Sequence, residues 1–146
     1  MKIIKLLILA CAVVTLSACG DDEPINYAQA QPEEVIQGFY DSIYKDGDLE
    51  QAKQLSSERM ADLIDHYGAV SAVQRYVLGR YFETVEIEVE TNSFTDYLNN
   101  SEDLRVTVIF DGYHNGERAK DSRDVVLIKR DDAWVVDKIL DTRYRP

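Results

Sequence analysis

The apolar residues of this chain change period near Tyr81, and that change bounds the fold more tightly than any motif. Before it they recur every three to four residues, as along one face of a helix; after it they alternate, as along one face of a strand. Helices first and paired strands second specify an α+β domain, with N-terminal helices packed on a strongly curved antiparallel sheet. The length of 146 residues suits one such domain and no second of similar size.

The first helix is predicted to start at Pro32, because the first helical position leaves its N–H without a partner anyway, with Glu33 and Glu34 complementing the helix dipole. Val35, Ile36, Phe39, Tyr40 and Ile43 fall on one broad face, and Lys45-Asp46-Gly47-Asp48 stops the run. Asp48, followed three residues later by Gln51, is a capping-box pattern for a short helix through Leu55. Ser56 or Ser57 caps a third helix, whose buried stripe is Met60, Leu63, Ile64 and Tyr67 and which Gly68 ends. A fourth is expected over residues 70–81, with Val73, Val77 and Tyr76 inward and its end weakened by Gly79.

Strands follow. Val85, Ile87 and Val89 alternate with Thr84, Glu86, Glu88 and Glu90, so one face should be buried and the other solvated. Residues 92–103 are polar and turn-rich. Leu104, Val106, Val108 and Phe110 then alternate with Arg105, Thr107, Ile109 and Asp111. Asn115-Gly116 marks a two-residue hairpin, because a type I′ turn needs positive φ at both central positions. The return strand covers residues 117–130, Asp131-Asp132 turns again, and residues 133–139 complete a meander.

The start of the chain lacks both patterns. Lys2 and Lys5 precede an uncharged run over residues 6–16, long enough for the apolar region of a signal peptide and short of the roughly 20 residues that span a bilayer. Leu16-Ser17-Ala18-Cys19 then resembles the lipobox of bacterial lipoproteins. That resemblance implies loss of residues 1–18 as a lipoprotein signal peptide and a lipid on Cys19 that holds the protein to the membrane. Several acyl chains hold essentially permanently where one holds marginally. Gly20, where an Asp would favour inner-membrane retention, implies an outer-membrane lipoprotein facing the periplasm. Residues 19–31 read as the lipidated Cys and a flexible tether, and residues 32–146 as the domain. Cys11 leaves with the leader, so no thiol remains for a disulfide, a thiolate metal site or a nucleophile.

Within the domain, Pro32-Glu33-Glu34-Val35-Ile36 with Phe39, then Lys45-Asp46-Gly47-Asp48 and Ala52, resembles the opening of NTF2-like domains. The match is nearest to small bacterial lipoproteins of uncharacterised function, the DUF4878-like group. Their C-terminal pattern of apolar strand, charged turn and Trp-x-Val strand stands here as Val125 to Ile128, Lys129-Arg130-Asp131-Asp132 and Trp134-Val135-Val136. The resemblance implies a cone: a bent sheet wrapped around the first helix, with an apolar pocket at the open end. Some relatives, such as ketosteroid isomerase and scytalone dehydratase, use that pocket for catalysis, and others bind ligands or partners. It also implies that dimerisation through the open sheet face is available. These are packing motifs, which speak to fold and not to activity.

Phe39, Tyr40, Phe110, Tyr113 and Trp134 are the candidate pocket-lining residues, with core packing as the alternative use of such rings. No catalytic set, cofactor or metal is expected. Asp62 and His66, four apart, can meet on one helix face, but Leu63, Ile64 and Tyr67 hold the buried stripe, so a surface ion pair is the expectation. His114 adjoins the hairpin turn and is expected in solvent, and Glu86, Glu88 and Glu90 on a solvated strand face. The sequence contains no calcium loop, Gly-rich phosphate loop, Gly-x-Ser-x-Gly elbow or His-Glu-x-x-His helix. Nine Tyr exceed what so small a core needs, and some would suit a partner-binding surface.

Charge narrows the partners. Lys and Arg number 16 against 27 Asp and Glu, a formal charge of −11 that repels a nucleic-acid backbone. Losing Lys2 and Lys5 with no acid in residues 1–18 moves this to −13 in the exported part. The expectation is a non-catalytic module of the cell envelope that binds a small apolar ligand or an envelope protein. Two alternatives stand beside it. One is a small cone-pocket isomerase, dehydratase or hydrolase, which needs an acid or base against apolar walls. The other is a periplasmic immunity or inhibitor protein whose acidity complements a basic target.

Overall fold

Val35, Ile36, Phe39, Tyr40 and Ile43 are each at most 1% exposed, and burying that face fixes the first helix in place. The structure, a computed structural model, describes residues 25–96 and 102–141; Cys19 and the expected leader lie outside the described residues. Helix α1 (Pro32–Asp41) starts at the predicted proline, and the Glu34 carboxylate accepts the Gln31 backbone N–H at 2.8 Å. It then widens into a π turn over Ser42–Asp46, which Gly47 closes at φ 67°. Buried Ser42 donates its hydroxyl to the Phe39 carbonyl at 2.7 Å, so the widened turn keeps its polar group paired.

Three short helices follow. The carboxylate of Asp48 caps α2 (Leu49–Gln54) by accepting the Gln51 N–H at 3.0 Å. Ser57 caps α3 (Glu58–Tyr67): its hydroxyl oxygen accepts the Met60 N–H at 3.3 Å and its O–H donates to Asp137 at 2.7 Å. The cap thereby ties the helix to the last strand. Helix α4 (Val70–Tyr76) ends well before the predicted residue 81. Its inward positions are Val70, Val73, Gln74 and Val77, a spacing that turns Tyr76 outward, and Tyr76 is 67% exposed against the expectation. Residues 77–83 cross to the sheet without regular structure, with Gly79 at φ 84°.

The strands are β1 (Thr84–Val89), β2 (Thr95–Asp96), β3 (Asp103–His114), β4 (Glu117–Arg130) and β5 (Ala133–Asp141). They form one antiparallel sheet in the order β1-β3-β4-β5, with β2 on β3 beyond the end of β1. Both predicted hairpins form. Asn115 and Gly116 take φ 54° and 78°, and Asp131 and Asp132 take 51° and 66°, so two aspartates make the second turn without glycine. Ile87, Phe110 and Asp121 lie across from one another on the inner face, as do Val89, Val108 and Arg123. Pairing slips between Val126 and Leu127, leaving Asp137 as an extra residue on β5.

Helix α1 touches both β1 and β5, the two edges of this path, so the sheet curls around it. The outer edge of β5 is covered by the α2–α3 connection: Ser57 donates to the Val136 carbonyl at 2.9 Å, and Val136 to the Leu55 carbonyl at 2.8 Å. Residues 25–31, the distal part of the expected tether, lie against the domain. Ala30 joins the core, and Tyr27 rests on Gly38, where a Cβ would stand 2.5 Å from the tyrosine hydroxyl.

Gly112 tests how closely β1 and β3 approach. A Cβ there would overlap the Thr84 carbonyl oxygen and stand 2.9 Å from the Phe82 ring. Gly112→Ala is expected to cost about 1–3 kcal/mol as overpacking, read from the urea midpoint. An unchanged midpoint would count against this register.

Candidate functional site

Continuing the inward alternation of β3 and β4 towards their shared hairpin leads from Val125 and Val108 to Arg123, Phe110 and Asp121. Apolar packing fills the middle of the inner face. Of the five candidate pocket residues, Phe39, Tyr40 and Phe110 come together, with ring centroids 5.3 Å (Phe39–Tyr40) and 5.0 Å (Tyr40–Phe110) apart and edge-on. Tyr44 and Phe82, not selected from the sequence, complete the cluster: Phe82 stacks on Phe110 at 6.2 Å and meets Tyr44 at 6.0 Å. These rings occupy the interior that the cone expectation left for a pocket.

Tyr113 does not belong to this set. It lies three residues beyond Phe110 on the same strand, hence on the opposite face, and is 49% exposed. Trp134 stands apart as well, half-buried in a groove of about 240 Å³ with Tyr27, Leu55 and Arg130, and the Lys129 ammonium lies 5.1 Å over its ring.

A polar cluster closes the end of the inner face beyond the rings. Asp121 accepts from Arg80 Nε at 3.1 Å, from Arg123 Nη1 at 3.0 Å and from the Ser122 N–H at 2.9 Å, and it forms an ion pair with Arg123 Nη2 at 2.9 Å. Tyr44 donates its hydroxyl to the Arg80 carbonyl at 2.6 Å, and Gln74 Nε2 donates to the Ile43 carbonyl at 3.3 Å. Two buried atoms, Tyr40 Oη and Gln74 Oε1, have no partner among the described residues. Burial, ahead of the Tyr44 phenol beside it, pushes the Tyr40 phenol well above its ordinary value, and burial also raises Tyr44; both stay neutral donors at physiological pH. The sequence did hold a signal for Asp121 and Arg123: they share strand parity with Val125 and Leu127. Arg80 sits in an irregular segment and carried none.

The remaining polar candidates stand apart from the ring cluster. His66 is exposed on α3, edge-on to Tyr67 at 5.1 Å, and forms no ion pair with Asp62 among the described residues. His114 is half-buried, not solvated. Its Nδ1 lies 2.9 Å from the Tyr81 carbonyl, which only accepts, so Nδ1 carries the proton. Glu86, Glu88 and Glu90 are exposed, as expected. Glu86 borders an outer-face groove of about 390 Å³ with Thr84, Asp111, Tyr113 and Arg118. Among the described residues no group of three His, Cys, Asp or Glu is placed to hold a metal ion.

Two outcomes test these assignments. Tyr40→Phe removes an unpaired buried hydroxyl and is expected to raise stability by about 1 kcal/mol in urea unfolding, whereas a paired hydroxyl would make it destabilising. Asp111 accepts from Arg118 Nε and Nη2 at 2.8 Å each, and Lys120 Nζ lies 3.1 Å away. Hydrogen bonds from Arg118, then from Lys120, bring its carboxyl from 3.8 down to about 2. A depressed carboxylate contributes its stability above the unfolded value and loses it as pH falls towards about 2. NMR titration should find Asp111 near 2 and returning towards 3.8 in Arg118→Gln; an unmoved midpoint would remove Arg118 as the cause.

No protein-family model and no curated protein matches the chain. Among solved structures, a five-substitution form of a protein designated Rd1NTF2_05 superposes with a TM-score of 0.50 at 14% identity, over 73% of this chain and 92% of its own. An NTF2-like protein of unknown function from Shewanella oneidensis MR-1 aligns with a TM-score of 0.45 at 13% identity, over 70% of this chain and 88% of its own. Helices on a curled four-strand antiparallel sheet are thus an NTF2-like fold in this chain.

Proposed function

We propose that this protein is a lipid-anchored periplasmic module of the bacterial envelope that binds a small molecule or a protein partner and performs no chemistry of its own, like the DUF4878-like lipoproteins it resembles. The observation that carries the non-catalytic reading is Asp121. A base in such a cone needs a carboxylate or imidazole with a lone pair to spare against apolar walls. Asp121 accepts three hydrogen bonds, two of them from guanidinium groups, and Arg123 Nη2 stands 2.9 Å away, so its oxygens are already engaged. His66 lies in solvent, and His114 gives its Nδ1–H to the Tyr81 carbonyl. Binding draws support from the aromatic inner face and from exposed Tyr76 and Tyr113, which offer contact area at low entropic cost.

The anchor rests on Lys2, Lys5, the uncharged run and Leu16-Ser17-Ala18-Cys19. The native chain is expected in the outer-membrane fraction and Cys19→Ala in the soluble periplasmic extract; a variant that stays in the membrane pellet overturns the anchor. Crosslinking from membranes with the anchor intact separates protein partners from a solitary binding site. Turnover of any metabolite that Asp121→Asn abolishes would overturn the non-catalytic reading.

A further inference from the structure

Residues 77–83 cover the polar end of the inner face although they form neither helix nor strand. Three backbone bonds hold them: Leu78 to the Val73 carbonyl at 3.0 Å, Arg80 to the Gln74 carbonyl at 2.9 Å, and Glu83 to the Tyr113 carbonyl at 2.8 Å. Side chains add the remaining ties. Tyr44 binds the Arg80 carbonyl, Arg80 binds Asp121, Arg123 Nη2 reaches the Gly79 carbonyl at 3.5 Å, and His114 binds the Tyr81 carbonyl. Gly79 takes φ 84°, and a Cβ there would stand 3.0 Å from Arg123 Nε and Nη2, so the segment lies directly on the guanidinium. Phe82, at its far end, fills the space against Phe110. Next to this cover lie the two unpartnered atoms, Tyr40 Oη and Gln74 Oε1, in residues 0% and 5% exposed.

We propose that residues 77–83 are a latched lid, shut by the Arg80–Asp121 ion pair and the Arg123 contact, and that when it swings about Gly79 the inner face takes one small molecule with an apolar body and a single anionic head. The inference rests on the binding reading above and adds the gate and the ligand class. Apart from the Arg80 N–H on the Gln74 carbonyl, each tie across the middle of the segment is a side-chain hydrogen bond that water can replace, unlike the continuous ladder of β3 with β4, so the segment opens more readily than the sheet. Phe82 travels with the lid, and the apolar body of the ligand takes its place beside Phe110 and Tyr44. The charge of the head follows from the count of partners. Arg80 and Arg123 share Asp121, while Asp141, 3.9 Å from Arg123 Nε, is 95% exposed and screened by solvent. One more anion completes the pairing of two guanidinium forks, and Tyr40 supplies an O–H donor that nothing else uses.

The test uses the full chain, with hydrogen exchange read by mass spectrometry and 4-phenylbutyrate as the probe. Arg80→Gln cuts the latch from the lid side and leaves Asp121 paired to Arg123. Exchange over residues 77–83 is expected to rise about fivefold, as for loss of one partly buried ion pair, with β3 and β4 unchanged. Phenylbutyrate should bind saturably in calorimetry, and more weakly by about threefold to Tyr40→Phe, which keeps the packing. Phenylbutylamine, with the same body and a cation, should not bind. Unchanged exchange over residues 77–83, or an equal rise across β3 and β4, overturns the lid. Absent phenylbutyrate binding, equal binding of the amine, or no loss in Tyr40→Phe overturns the ligand class. Neither result touches the non-catalytic reading, which falls only if a bound compound is turned over.

Discussion

Helix α1 meets β1 on one side and β5 on the other, so the sheet between those edges has to bend around a single helix. That enclosure decides what the inner face can carry. At the centre, where helix and sheet are nearest, Tyr40 sits edge-on to Phe39 and Phe110, and each fully buried ring contributes about 1.5–3 kcal/mol of apolar transfer. The extra residue Asp137 lets β5 bend, and because its carboxylate accepts the Ser57 hydroxyl, the bend also fixes where α3 begins. Curvature, the α3 cap and the covered β5 edge are in this way parts of one arrangement.

The same enclosure changes the meaning of the polar residues at the end of β4. On a flat sheet Asp121 and Arg123 would be hydrated; here residues 77–83 lie against them, and the two are paired with each other and, through Asp121, with Arg80. Tyr40 has no such answer for its hydroxyl. A core that keeps a phenol where a phenylalanine would fit carries a cost of desolvation, and such a cost draws attention to what the group does when the packing opens.

Much of the fold was legible in the residues. The α1 face, the Asp48 and Ser57 caps, the Asn115-Gly116 turn and the start and end of β4 all follow from local chemistry that acts within a few positions. Tyr76 was misread because Val73, Gln74 and Val77 already fill the inward side of α4, which leaves the ring at 76 on the outer one. Tyr113 was misread by residue type: aromatic character suggested the interior, while its odd offset from Phe110 placed it outside. The polar cluster was only half legible. Parity with Val125 marks Asp121 and Arg123 as inward, but Arg80 reaches them from an irregular segment forty residues earlier, and no spacing rule links such positions.

Tyr27 seated on Gly38 also has a consequence for reach. If the lipid is on Cys19, six links separate it from Ile25, about 20 Å when drawn out fully. A domain of this length is about 30 Å across, wider than that leash, so a protein anchored there would keep one side turned towards the membrane. That side holds the groove of Ile25 and Tyr27 with Glu33, Glu34, Asp41 and Asp46. Acidic headgroups would repel it at distances within a Debye length of about 8 Å. The anchor would then pull the domain down while its own nearest face pushes it off, leaving a standing gap whose width depends on salt.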